Sequence, residues 1–104
     1  MPPQRVVVSD ELRYMIRDAL QLSEKVRAGV VEMRVTPLGR SRYRKPYGTL
    51  PRRTRSEIVR YVIKDNGWEL VKAHRYVMPG SQVLGPDPLY MRIGDAVFVR
   101  EQDA

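Results

Sequence analysis

The sequence predicts a small α+β domain, two helices packed on a mostly antiparallel sheet of about four strands, with a long basic loop. Three observations carry that expectation. Residues 10–28 have helical periodicity with capping signals at both ends, residues 30–36 and the C-terminal stretch alternate with a period of two, and residues 37–55 hold five chain breakers and no acid. A chain of 104 residues suits a single domain, 1–104, large enough to bury its own core.

The first helix is expected over Asp10–Ala28. Ser9 offers an N-cap oxygen, Asp10 and Glu11 complement the positive end of the helix dipole, and Lys25 and Arg27 the negative end. Leu12, Met15, Ile16, Ala19, Leu22 and Val26 recur at helical spacing, and Gly29 supplies a C-terminal stop. Tyr14 falls opposite that stripe. Val31, Met33 and Val35 then alternate with Glu32, Arg34 and Thr36, as a half-buried strand requires.

Pro37, Gly39, Pro46, Gly48 and Pro51 punctuate the next stretch, which reads as a basic arm or loop over 37–55. From Ser56 two readings compete. As a helix, Ser56 caps it, Ile58, Val59, Val62 and Ile63 form its buried stripe, and Asn66-Gly67 ends it. As a hairpin, Asn66-Gly67 is the two-residue turn between Ile58–Asp65 and Trp68–Met78. Apolar residues in adjacent pairs four apart favour the helix. Trp68–Met78 reads as a strand, Pro79–Pro88 as a turn, and Leu89–Ile93 with Ala96–Glu101 as a hairpin around Gly94-Asp95.

Composition narrows the function classes. With no cysteine and one histidine, neither a disulfide framework nor a protein-only zinc site is available, and no cofactor is expected. No apolar run is long enough to span a bilayer, which points to a cytosolic protein or a part of an intracellular assembly, with no membrane partner.

The charge distribution is more informative. Arg40, Arg42, Arg44, Lys45, Arg52, Arg53 and Arg55 lie between Pro37 and Arg55 and together equal the net charge of +7. The other 12 basic residues are cancelled by the 12 acidic ones. Such localisation marks one surface for an anionic partner. Guanidinium suits bidentate phosphate contact, and Arg outnumbers Lys 15 to 4. Tyr43 and Tyr47, interleaved with the cations, could stack on unpaired bases. The expected nucleic-acid-binding residues are therefore Arg40, Arg42, Tyr43, Arg44, Lys45, Tyr47, Arg52, Arg53 and Arg55, with DNA or RNA as partner. Arg60 and Lys64, on the outer face of the expected second helix, could extend this footprint or simply be solvated. An acidic protein surface or a second copy of the chain would also satisfy such an arm. That alternative makes the protein a structural component of a larger particle.

Two fragments resemble known families. Arg5-Val6-Val7-Val8 ahead of a helix, with Thr54-Arg55-Ser56-Glu57-Ile58-Val59-Arg60 opening another, resembles the two ends of a ribbon-helix-helix DNA-binding unit. Asn66-Gly67-Trp68-Glu69-Leu70-Val71 after a helix is similar to the helix-to-strand step of small RNA-cleaving toxins of the HicA type, without their Gly-Ser-His element. The second resemblance implies ribonuclease chemistry, for which His74, beside Lys72 and Tyr76, is the one candidate acid–base group. Lys72, His74 and Tyr76 also alternate as any polar sheet face would. The carboxylates form no paired-acid signature, and no phosphate-binding glycine loop or nucleophile motif occurs. The chain is expected to be a non-enzyme.

Overall fold

The computed structural model describes residues 3–40, 43–44 and 48–101. A strand β1 (Gln4–Val8) leads into helix α1 (Asp10–Leu20) and a short continuation α2 (Leu22–Arg27). Strands β2 (Val31–Arg40), β3 (Tyr43–Arg44), β4 (Gly48–Thr49), β5 (Arg55–Ile63), β6 (Glu69–Val77), β7 (Val83–Ile93) and β8 (Ala96–Arg100) follow. Six strands form one mixed sheet in the order β1-β8-β7-β6-β5-β2, and β3 and β4 pair separately. Only β1–β8 is parallel within the large sheet. The helix carries the chain from one edge strand, β1, to the other, β2.

The architecture is α+β, but with one bent helix and six principal strands rather than two helices and four. The expected Asp10–Ala28 helix is interrupted at Gln21, whose φ of 49° is left-handed. Its caps are those the sequence signals. Ser9 Oγ accepts from the Leu12 amide at 3.2 Å. At the other end the Val30 amide donates to Lys25 O and the Gly29 amide to Val26 O, with Gly29 at φ 77°. That double bond pattern closes a helix on a residue with positive φ, where glycine carries no Cβ penalty.

The second expected helix is strand β5. Its sequence, Arg-Ser-Glu-Ile-Val-Arg-Tyr-Val-Ile, is rich in β-branched and aromatic residues. It is a central strand, so apolar residues fall on both of its faces and defeat simple alternation. The adjacent pairs that imitate a helical stripe, Ile58-Val59 and Val62-Ile63, therefore point to opposite sides of the sheet. The β5–β6 hairpin closes with Ile63 N donating to Trp68 O at 2.8 Å and Gly67 N to Ile63 O at 2.8 Å. Residues 64–67 make this loop, longer than the two-residue Asn-Gly turn. Losing the helix removes the structural basis of both family resemblances.

Part of the segment expected as loop or turn is also strand. β2 runs on through Pro37 to Arg40, with a register shift between Pro37 and Gly39. β7 begins at Val83 and tolerates Pro86 and Pro88 through two register shifts against β6. The C-terminal hairpin has the expected register, pairing Met91 with Phe98 and Ile93 with Ala96.

The core lies between the bent helix and one sheet face. Leu22, Val31, Val59, Tyr61, Val71, Ala73 and Met91 form it, flanked by Ile16, Leu20, Val26, Ile63, Leu70 and Phe98. The helix is rotated relative to its apolar stripe: Leu12 and Met15 are exposed, whereas Arg13 is 3% exposed. The Arg13 guanidinium donates to the Asp87 carboxylate and the Pro88 carbonyl of β7, and to Asp10 Oδ1 at 2.9 Å. One turn on, Arg17 donates to Pro86 O at 2.8 Å. Tyr14 sits against both guanidiniums, 4.9 Å from Arg13 and 4.8 Å from Arg17, a cation–π arrangement. Burial pulls the Arg13 pKa down, but the Asp10 hydrogen bond and the Asp87 charge outweigh it and leave the pKa raised. β7 bulges where it makes these contacts, its register against β6 shifting twice. Gly85, at φ 110°, serves that bulge: a Cβ there would meet the His74 carbonyl oxygen at 3.0 Å.

Two stability measurements follow. Arg13→Ala, which strands a buried carboxylate, is expected to cost about 3–5 kcal/mol in urea unfolding, and the Arg13→Ala/Asp87→Ala pair less than the two single losses combined. Gly85→Ala is expected to cost about 1–3 kcal/mol from backbone strain alone.

Candidate functional site

The structure makes the basic segment an extension of the β2–β5 pair. β2 ends at Arg40 and β5 begins at Arg55, and these two positions are direct cross-strand partners. Beyond them the backbone of Tyr43 and Arg44 pairs with Thr49 and Gly48. Arg42, Lys45 and Tyr47 lie outside the described residues. The returning limb is tied down before β5 starts. Leu50 is 6% and Thr54 0% exposed, and Thr54 donates to Pro51 O through both its hydroxyl at 2.7 Å and its amide at 3.3 Å. Arg52 and Arg53 occupy the turn so formed, exposed, with Arg53 at φ 69°.

Many carboxylates of the folded body are engaged in ion pairs with nearby arginines. Asp10 and Asp87 pair with Arg13, Asp18 with Arg17, Glu24 with Arg27, Glu32 with Arg34, Glu57 with Arg75 and Glu69 with Arg60. Among the described residues Arg52, Arg53 and Arg55 take part in none of these pairs. Arg53 and Arg55 instead line an open groove of about 340 Å³ whose other wall is Val77, Met78, Pro79, Gly80 and Ser81. An anion entering it would meet two guanidiniums and no carboxylate from the lining residues.

A second set of cations was hidden from sequence reasoning because it depends on strand register. Arg34 of β2, Arg60 of β5 and Lys72 of β6 are consecutive cross-strand partners, and Lys72 pairs onward with Tyr90 of β7. Directly paired positions share a sheet face, and this row alternates with the core positions Val59, Tyr61, Val71 and Ala73. It therefore lies on the face opposite the helix. Arg60 is half-buried on a strand rather than on a helix surface, with Nε 3.5 Å from Glu69 Oε1. Lys64 is exposed in the β5–β6 loop. Arg92 stacks over Trp68 at 4.1 Å. Three like charges in direct register oppose folding unless counter-charges answer them, and Glu32 and Glu69 answer two of the three.

Tyr90 is the most perturbed group on this face. Burial, a hydrogen bond to Glu69 and the negative charge of Glu69 raise its pKa to about 12, against smaller opposing contributions from Arg60 and Arg92. Burial also raises the Tyr61 pKa, with Arg75 opposing. The His74 ring meets the Tyr76 ring edge-on with centroids 4.5 Å apart. Tyr76 is buried, at 2% exposure. Among the described residues no group of three or more His, Asp or Glu side chains is placed to hold a metal ion. No helix among them is long and apolar enough to cross a membrane.

No protein-family model matches this chain, and neither a curated protein nor a solved structure is significantly similar to it.

The tyrosine shifts have a measurable consequence. A phenol whose folded pKa exceeds its unfolded value of about 10 favours folding while protonated. Its contribution is complete below that pH and is lost as pH rises toward the folded value. Unfolding free energy is therefore expected to fall between pH 10 and about 12, and more shallowly in Tyr90→Phe, as urea titrations across that range would reveal.

Proposed function

We propose that the protein is a non-enzymatic nucleic-acid-binding protein that grips the phosphate backbone through the basic limb between β2 and β5. The observation that carries this reading is the concentration of Arg52, Arg53 and Arg55 on one limb: all three are exposed and paired with no carboxylate among the described residues, and two of them line a groove without an acidic wall. A protein surface with no anionic partner gains nothing by concentrating its excess charge on one limb, because the cations repel one another. Phosphates in contact with them relieve that repulsion and release condensed counterions, which makes affinity salt-dependent and largely indifferent to sequence.

Geometry gives the limb a division of labour. Its base is rigid, since Thr54 and Leu50 are buried and the turn at Pro51–Thr54 is hydrogen-bonded. Arg52, Arg53 and Arg55 are therefore presented from an ordered platform and lose less conformational freedom on binding than residues of a free tail. Tyr43 and Tyr47 remain the candidates for base stacking.

The test is oligonucleotide binding by fluorescence anisotropy across a salt series. Each phosphate contact removed lowers the magnitude of the log–log salt slope by about 0.7 on single strands or about 0.9 on duplex. Arg52→Ala/Arg53→Ala/Arg55→Ala is thus expected to reduce the slope by about 2 to 3 and to weaken many sequences alike. An unchanged slope in that variant would contradict the proposal, as would tight binding confined to an acidic protein.

A further inference from the structure

The free edge of β2 has the pattern of a self-pairing strand, and we propose that two copies of this chain associate there, antiparallel, about a two-fold axis through Met33. This inference is independent of nucleic-acid binding.

β2 is a long edge strand of 10 residues, and residues 32–39 are all exposed. Its outward-facing backbone groups follow from one hydrogen bond. Lys64 N donates to Val30 O at 3.0 Å, so the polar groups of residue 30 point inward to β5. Alternation along the strand then points residues 32, 34 and 36 inward as well, and residues 31, 33, 35 and 37 outward. This accounts for Pro37, whose missing N–H falls on the side where β5 needs no donor. The outward amides and carbonyls of Val31, Met33 and Val35 are the groups an added strand would engage.

Side chains and proline together select one register. Pairing centred on Met33 sets Met33 against its copy and Val31 against Val35, each pair exchanging the outward backbone bonds. It sets Glu32 against Arg34 of the other copy twice, in the pairs that exchange no backbone bonds and hold side chains closest. Shifting the centre to residue 32 opposes Glu32 to Glu32, and to residue 34 opposes Arg34 to Arg34. Centring on Val35 places Pro37 opposite Met33 and loses the donor that pair needs. On the helix side of the sheet, Met33 and Val35, each 39% exposed, come under cover. Within one copy Glu32 and Arg34 already lie 3.3 Å apart, so the two-fold arrangement joins two such pairs into a four-charge network. An apolar row beneath an exposed strand of complementary, alternating charge fits a second copy better than it fits an unrelated peptide.

Light scattering coupled to size exclusion, on nuclease-treated full-length protein in moderate salt, tests this. The wild type is expected to be a concentration-dependent dimer. Glu32→Arg and Arg34→Glu should each raise the dimer dissociation constant by at least about tenfold, and the combined charge swap should restore dimerisation. Val35→Pro removes an outward donor that β5 does not use, so it should give a monomer with unchanged circular dichroism. A wild type that stays monomeric at the highest attainable concentration would overturn the proposal. So would a dimer indifferent to both single charge reversals and to Val35→Pro.

Discussion

The buried guanidinium of Arg13 determines how this molecule is put together. A cation at 3% exposure is costly unless paired and hydrogen-bonded, and here two carboxylates and a backbone carbonyl meet it. Because Asp87 and Pro88 belong to β7, the same contacts fix the helix against the sheet, and Arg17 repeats the attachment one turn away through Pro86. The bulge of β7 and the φ of 110° at Gly85 belong to that arrangement. Once the helix is docked in this orientation, the opposite face of the sheet carries the Arg34, Arg60, Lys72 row beside apolar residues such as Val62.

Charge partition continues the same logic. Within the folded body, several acids and bases are matched locally: Glu57 with Arg75 across β5 and β6, Glu32 with Arg34 along β2, Glu69 between Arg60 and the Tyr90 hydroxyl. The exposed pair Glu32–Arg34 contributes little to stability, but each of these pairs offsets a positive charge locally. The excess remains on the limb, where Arg53 and Arg55 face a groove with no acidic wall. A polyanion is the partner whose chemistry answers that arrangement at many points at once.

Much of this was legible in the sequence, and what was not has physical reasons. The caps of the first helix were readable because capping is local: Ser9, Gly29 and their hydrogen bonds lie within one turn. The C-terminal hairpin register was readable because Gly94-Asp95 fixes it over a few residues. The clustering of cations between Pro37 and Arg55 is a property of the chain itself and needs no tertiary knowledge. β5 was misread because a strand covered on both faces loses its alternation, and Ile58-Val59 with Val62-Ile63 then mimics a helical stripe. The burial of Arg13 in place of Leu12 and Met15 was invisible because its partner Asp87 lies 74 residues away. The Arg34, Arg60, Lys72 row exists only through register across three strands, which no single segment encodes.

The ultraviolet absorbance spectrum of freshly purified protein, recorded before and after a high-salt wash, tests the central claim most directly. A cationic limb open to polyanions predicts absorbance near 260 nm from co-purifying nucleic acid, lost after the wash. A preparation already free of nucleic acid at low salt would contradict it.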